Sequence, residues 1–289
     1  MFTQVLKQDA AAIEANLKVV MARDADLPVI DGMRYAVAGG KRLRGFLVME
    51  GARLHDVPEA QAIWAAAAIE AIHAYSLVHD DLPCMDDDDL RRGQPTVHKK
   101  WDDGTAVLVG DALQTLGFEL VLAPACHPDA AVRADLALSL ARASGRTGMV
   151  LGQALDIAAE SADAPLTLDQ ITDLQAGKTG ALIVWSAQAG ARLAQADLAP
   201  LTDYAHALGL AFQIADDVLD VEGDEATVGK AVGKDADRGK ATFVSLLGLD
   251  GAKARAKDLV NAACDAVSVY GAKGQTLKAA AQFVISRDI

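Results

Sequence analysis

Residues 79–92 read HDDLPCMDDDDLRR, and the rest of the chain is best understood outward from this stretch. Six carboxylates (Asp80, Asp81, Asp86, Asp87, Asp88 and Asp89) fall within ten positions, and Arg91 and Arg92 follow at once. Like charges this close repel unless a cation neutralises them, and hard oxygen ligands suit Mg²⁺ or Ca²⁺. Upstream, the Ala-rich run from Ala60 to Val78 predicts a buried helix with this charge at its end. An acidic run is usually no more than a solvated face. A second cluster argues against that here: in QIADDVLD, Gln213, Asp216, Asp217 and Asp220 occupy i, i+3, i+4 and i+7 of an otherwise apolar segment. Isolated buried carboxylates are very costly, so two such stripes predict cations held between facing helices.

The chain has 289 residues, enough for a large core. Hydrophobic residues make up 52% but aromatics only 4%, with alanine throughout, so the core should be helices packed through small side chains. A net charge of −13 argues against a general nucleic-acid binder. Cys84, Cys126 and Cys264 are scattered with no CxxC, which fits a reducing cytoplasm. The N-terminus lacks the basic and apolar regions of a secretory signal, and no stretch reaches the uninterrupted apolar length of a membrane span.

In order, helices are expected at Phe2–Arg23, Met33–Val37, Phe46–Leu54, Ala60–His79, Thr105–Ala123, Asp129–Leu155, Thr167–Ala176, Val184–Ala194, Leu201–Asp220, Asp250–Tyr270 and Thr276–Ile289. Asp24–Asp31, with Pro28, reads as a loop. GGKRLRG places Lys41, Arg42 and Arg44 beside a glycine pair; glycines let backbone approach an anion and cations bind it, though such a stretch is as often a solvated turn. His73, Ser76 and Asp80 share a helix face. Pro83 cannot continue a helix, so a break must bring Asp80 and Asp86 onto one cation. GMVLGQALD offers small residues for close approach of a helix or an apolar ligand, or simply for tight packing. GKTGAL flanks Lys178 and Thr179 with glycine, but the full P-loop pattern is missing and the context is helical. The later GDEATVGKAVGKDADRGKATF is basic and glycine-rich, with Lys230, Lys234, Arg238 and Lys240. No linker or repeat is visible, so 1–289 is expected to be one domain.

Acidic stripes recruit divalent metal, and basic groups with metal can hold highly charged anions such as diphosphates. A Ser/His/Asp signature, a CxxC pair and a dinucleotide fingerprint are missing from the sequence. The chemistry expected is metal-assisted departure of phosphate or diphosphate.

The Asp80-Asp81-x4-Asp86 and Asp216-Asp217-x2-Asp220 motifs, with GGKRLR, HAYSLVHDDLPCMDDDDLRRGQPTVH, GDAL, GQALD, GKTGAL and FQIADDVLD in that order, resemble the trans-isoprenyl diphosphate synthases, bacterial farnesyl diphosphate synthases above all. The resemblance spans residues 39–240 and implies an all-α, single-domain helical bundle around a central cavity, acting as a cytoplasmic homodimer. It implies that Asp80, Asp86 and Asp216, supported by Asp81, Asp217 and Asp220, hold three Mg²⁺ ions, with Mn²⁺ an alternative, on an allylic diphosphate. Arg91, Lys178 and Lys240 would contact that diphosphate with Lys230 close by, and Lys41, Arg44, His73 and Arg92 would hold isopentenyl diphosphate. The Thr179 hydroxyl, the Lys178 carbonyl and the Gln213 side chain would face the allylic cation.

Tyr75 and Ser76 lie about 6–7.5 Å along the helix before Asp80 at 1.5 Å per residue. An aromatic at the fifth position before the motif resembles the floor for a fifteen-carbon product in this family, so Tyr75 favours farnesyl over geranylgeranyl diphosphate; packing of Tyr75 in a dimer interface is the other reading. Gly45 stands where the family usually has proline, which should loosen the isopentenyl site, and spacing favours Lys230 and Lys240 over Lys234. The rivals are a geranylgeranyl diphosphate synthase, a terpene cyclase, a non-catalytic synthase subunit and a Ca²⁺ module. A cyclase usually carries an Asn/Ser/Glu metal motif, yet the asparagines here are Asn16 and Asn261; a subunit generally loses an Asp motif; and EF-hand spacing is missing.

Overall fold

The computed structural model describes residues 2–22, 25, 27–160, 164–222 and 242–286. They form α1 (Phe2–Val20), α2 (Pro28–Ala36), α3 (Leu43–Leu54), α4 (Glu59–Asp80), the hairpin β1 (Leu90–Arg91) and β2 (Gln94–Pro95), α5 (Val97–Lys100), α6 (Asp103–Leu122), α7 (Ala130–Ser144), α8 (Met149–Glu160), α9 (Leu168–Gln175), a π turn (Ala176–Gly180), α10 (Ala181–Leu193), α11 (Ala199–Glu222), α12 (Phe243–Leu247), α13 (Leu249–Ala266), a 3₁₀ segment (Val267–Gly274) and α14 (Gln275–Ile285). The all-α class expected from the alanine-rich composition holds, with a two-stranded hairpin as the sheet among the described residues.

Several boundaries differ from the periodicity. Pro28 does not sit in a loop: it occupies the first turn of α2, where its missing N–H costs nothing and its fixed φ suits a helix. Asp129–Leu155 is not one helix. It breaks at residues 145–148, where the Gly148 N–H donates to the Gly145 carbonyl at 3.0 Å and a Cβ on Gly148 would stand 2.0 Å from the Ala143 carbonyl oxygen. Two-residue strands carry no alternation, so the hairpin has no periodic signature in the sequence. Arg92 (φ 54°) and Gly93 (φ 73°) are its two left-handed turn residues, and Arg91 pairs with Gln94 across it.

The described chain divides into two compact units, Met1–Leu138 with Arg192–Ala196, and Ser139–Ala191 with Asp197–Ile289. In the first, α4 is central and packs against α6, α3 and α1. Its alanines and the α6 glycines let the helices come together; a Cβ on Gly117 would meet the Ile72 side chain at 2.7 Å and the Ala68 carbonyl at 3.2 Å. Ile69, Ile72, Phe46, Leu47 and Ile13 are fully buried, each stabilising the unit by about 1.5–3 kcal/mol relative to exposure. In the second unit α11 packs against α13, α14 and the π turn. Ile171, Ile214, Phe243, Ala252 and Ala256 form one apolar cluster, and the Tyr204 hydroxyl donates to the Leu277 carbonyl at 2.8 Å.

Against the expectation of no spanning stretch, α6 (Asp103–Leu122) is long and apolar enough by length and composition to cross a membrane, but 44% of its apolar window is buried inside the protein. Its mixed burial is that of a core helix with one outer face, where Val107, Leu108 and Leu122 are exposed.

Candidate active site

The first Asp motif stands where α4 ends. Asp81 caps the helix, and the chain then folds back so that the Asp86 N–H donates to the Asp80 carbonyl at 2.8 Å. This is the break that Pro83 demanded, and it returns Asp86 to the end of the helix that carries Asp80. Carboxylates at the negative end of a helix dipole are unfavourable without a cation, so the location itself calls for positive charge.

The hairpin supplies part of that charge and separates two neighbouring arginines. It is pinned by the Thr96 hydroxyl donating to the Asp88 carbonyl (2.9 Å) and by the Tyr35 hydroxyl donating to the Pro95 carbonyl (2.7 Å). Arg91, on the strand, donates through Nε to Asp81 Oδ1 at 2.9 Å, with a further short contact from its Nη2, and lies 3.6 Å from Asp88. Asp81 is only 3% exposed: burial pushes its pKa up, and Arg91 pulls it back in part. Arg92, at the turn, has a different neighbour. Its guanidinium lies over Gly40, where a Cβ would come within 2.6 Å of Nη1.

Gly40 belongs to the basic patch, which sorts its cations by role. Gly39, Gly40 and Arg42 all have positive φ, a conformation glycine adopts at no steric cost. Arg42 turns inward as the residue preceding α3, donating to the Val37 carbonyl at 2.5 Å and lying 3.4 Å from Glu14. Lys41 is exposed. Arg44 Nη1 sits 3.4 Å from His73 Nε2, while Arg44 Nε is buried without a hydrogen-bond partner. Burial, together with Arg44, Arg92 and Arg91, holds the His73 pKa well below its usual 6.5, so the ring is neutral; a neutral ring accepting from Arg44 at Nε2 carries its proton on Nδ1.

Gly45 is tied to α4. Its N–H donates to the buried carboxylate of Glu70 at 2.8 Å, a bond that needs the N–H a proline lacks. Tyr75 is 4% exposed, edge-to-face with His79 at 5.9 Å, and Ser76 donates back to the His73 carbonyl at 2.9 Å. A cavity of about 280 Å³, lined by Ala74, Leu77, Val78 and Val97 with Asp81, Arg91 and Arg92, opens beside the hairpin.

In the second unit the chemistry gathers on the π turn, α8 and α11. Gly152 of GQALD lets the π turn approach α8 so closely that a Cβ there would stand 2.0 Å from Lys178 N. Four residues on, Asp156 pairs with Lys178 Nζ at 2.6 Å. This settles the small-residue motif in favour of close backbone approach. Thr179 Oγ1 donates to Gln213 Oε1 at 3.3 Å and lies 3.4 Å from Gln175 Oε1. A π turn within a helix departs from the regular bonding pattern and is frequent at functional sites. On α11, Asp216 and Asp220 are half-buried, whereas Asp217 is 8% exposed and accepts the Phe243 N–H at 2.8 Å, docking the start of α12.

Among the described residues no three His, Cys, Asp or Glu side chains converge on one point. The carboxylate oxygens that both motifs present are hard donors of the kind that suit Mg²⁺ or Ca²⁺. Lys230, Lys234 and Lys240 lie outside the described residues. Sequence reasoning missed two acids, Asp156 and Glu70; the second was signalled as the one acid in the apolar run from Ala60 to Val78.

Known proteins match this chain closely. The family model described as polyprenyl synthetase matches residues 29–275. A protein of Haemophilus influenzae named farnesyl diphosphate synthase is 43% identical over 287 residues, covering 95% of this chain and 93% of its own length. One of the same name from Escherichia coli is 45% identical over 271 residues, 90% of each. The crystal structure of an FPP/GFPP synthase from Zymomonas mobilis superposes with a TM-score of 0.90 at 44% identity, covering 98% of both chains.

Proposed function

The chain belongs to the polyprenyl synthetase family, and from that premise we propose how its residues divide the work. It is a trans-prenyltransferase, condensing isopentenyl diphosphate with dimethylallyl and geranyl diphosphate to give farnesyl diphosphate. Residues 1–289 act as one polyprenyl synthase domain, since a single family model runs through both compact units.

The observation that carries the division of roles is the hairpin tip, which sends Arg91 to the first Asp motif and Arg92 to the Lys41, Arg44 and His73 patch. Two neighbouring arginines thereby serve two anions. Arg91 and Lys178 bind the allylic diphosphate, each kept in place by a carboxylate, Asp81 and Asp156. Lys41, Arg44, His73 and Arg92 bind the isopentenyl diphosphate; the buried Arg44 Nε lacking a partner is the donor such an anion satisfies.

Asp80, Asp86, Asp216 and Asp220 would hold Mg²⁺, while Asp81 and Asp217 orient the hairpin and α12. Bound Mg²⁺ supplies Lewis-acid charge to the departing diphosphate. Arg91 and Lys178 offer fixed positive charge to the same leaving group. As the C–O bond breaks, Thr179, the Lys178 carbonyl and Gln213 face the allylic cation; the Thr179–Gln213 bond aims both groups. The isopentenyl double bond attacks the cation, and the released diphosphate takes the proton lost from the adduct. Tyr75 closes the product pocket at fifteen carbons. The exposed apolar face of α6, with Val107, Leu108 and Leu122, supports a homodimer. The free cysteines and acidic surface fit the cytoplasm.

The test is to incubate the purified protein with Mg²⁺, isopentenyl diphosphate and, separately, dimethylallyl, geranyl and farnesyl diphosphates, then size the dephosphorylated products by mass spectrometry. A fifteen-carbon alcohol from the two shorter primers, with the longest left unextended and turnover abolished by chelation, is expected. A twenty-carbon product keeps the mechanism and overturns the role of Tyr75. No incorporation of isopentenyl units overturns the reading.

A further inference from the structure

Thr96 is the N-cap residue of α5, a place where a threonine hydroxyl ordinarily accepts from a backbone N–H of the first helical turn. Here it makes no such bond. Thr96 is 2% exposed; its hydroxyl donates to the Asp88 carbonyl at 2.9 Å, and its N–H donates to the Asp89 carbonyl at 3.0 Å. Both bonds lie just beyond the Leu90–Pro95 pair, so Thr96 closes the open end of the hairpin onto the acidic turn.

His98, in α5 and 6% exposed, stands behind that hydroxyl, with Nδ1 3.1 Å from Thr96 Oγ1. A hydroxyl has one hydrogen and the Asp88 carbonyl takes it, so the hydrogen between Thr96 and His98 belongs to Nδ1. The other ring nitrogen agrees. Nε2 is buried with no hydrogen-bond partner among the described residues, and a hydrogen there would be stranded. The opposite tautomer would draw the Thr96 hydrogen onto Nδ1 and leave the Asp88 carbonyl without this donor. An unpaired buried acceptor is destabilising, so the ring calls for a reason other than packing.

The acidic turn that Thr96 holds is also the one that holds Arg91. The Asp88 carboxylate lies 3.6 Å from Arg91 Nη2, and Arg91 Nε donates to Asp81 at 2.9 Å. We propose that His98 is a positioning residue for Arg91: its Nδ1–H directs the Thr96 hydroxyl onto the Asp88 carbonyl, which fixes the acidic turn and the strand beside it, and so sets the Arg91 guanidinium for the allylic diphosphate. His98 acts through Thr96 and makes no contact with substrate. The proposal rests on the reading of Arg91 as a contact of the allylic diphosphate.

His98→Leu removes the donor and the unpaired Nε2 together, whereas His98→Asn keeps a donor, because its Nδ2 falls where Nδ1 stands. Steady-state kinetics of the purified protein, each substrate varied in turn, would be measured beside thermal melts, with Arg91→Gln as the control for the site. In His98→Leu the KM for geranyl diphosphate should rise about fivefold, as for one lost hydrogen bond, with the KM for isopentenyl diphosphate within about twofold. The melting temperature should hold or rise, because the leucine leaves no buried acceptor unpaired. His98→Asn should recover most of the geranyl diphosphate KM. Thr96→Val should raise that KM at least as far, and adding His98→Leu to it should change nothing more, since His98 acts through the hydroxyl. With a raised geranyl diphosphate KM in Arg91→Gln, two results overturn the role of His98 and leave the site standing. One is an unchanged geranyl diphosphate KM in His98→Leu; the other is both KM values rising with a fall in melting temperature that His98→Asn does not repair. An unchanged geranyl diphosphate KM in Arg91→Gln overturns the site and the proposal with it.

Discussion

Gly152→Ala should separate the packing of this protein from its chemistry at one atom. The added Cβ would stand 2.0 Å from Lys178 N, 2.5 Å from Lys178 Cα and 2.6 Å from the Gly177 carbonyl carbon. Ordinary contact begins at 3.4 Å, so relief requires a shift of about 1.4 Å, the difference between 3.4 and 2.0. The obstructing atoms are backbone, and no rotamer change can supply that shift. Alanine favours the helix by about 1 kcal/mol over glycine, whereas overpacking costs about 1–3 kcal/mol, leaving a net loss of up to about 2 kcal/mol. At roughly 2–4 °C per kcal/mol for a chain of this class, the melting temperature should fall by no more than about 8 °C. Catalysis should suffer far more. Lys178 and Thr179 ride on the displaced turn, and a misplacement of about 1 Å can cost on the order of a hundredfold in rate. The expected signature is a folded enzyme whose kcat/KM for geranyl diphosphate is down about a hundredfold, measured by continuous diphosphate release beside a circular-dichroism melt. Wild-type kinetics with an unchanged melt would falsify the backbone contact between α8 and the π turn.

Arg91→Gln should destabilise the protein more than the double variant with Asp81→Asn, because the single change strands a buried carboxylate. Urea unfolding of the full cycle should give a coupling of at least about 1 kcal/mol, and simple additivity would contradict the pairing. His73 has a folded pKa depressed below its unfolded 6.5, so the unfolded chain takes up its proton first as pH falls. Stability from this group is therefore complete above about pH 6.5 and is lost on acidification; His73→Gln should narrow the gap in urea midpoint between pH 7 and pH 5.5, and a gap of unchanged width would count against the neutral ring. Tyr75→Ala should shift the product from fifteen toward twenty carbons by mass spectrometry, and an unaltered product profile would remove Tyr75 from the floor of the pocket.

Much of this molecule is written in one-dimensional pattern. Alanine-rich 3.6-residue periodicity determined an all-α class, and the two Asp stripes with the basic stretches in order determined the family. Those signals are local, and they survive because a carboxylate on an apolar helix face is too costly to be incidental. Pro83 signals that the helix cannot run on to Asp86, and the chain does break there, the Asp86 N–H donating to the Asp80 carbonyl at 2.8 Å.

What the tertiary structure decided is the role of each member of a cluster. Arg42 and Arg44 are two positions apart, yet one plugs the end of α2 while the other meets His73. Arg91 and Arg92 are adjacent, and a left-handed turn points them at different partners. Asp216 and Asp217 share a stripe, but the second is bound to the start of α12. Glu70 and Asp156 could be assigned no role until partners distant in sequence, Gly45 and Lys178, came within hydrogen-bond reach. Charge and periodicity are additive along the chain and can be read from it. Hydrogen bonding is directional and falls away within a few tenths of an ångström, so which of two neighbouring charges anchors the fold and which is left for a substrate is settled only when the helices have packed.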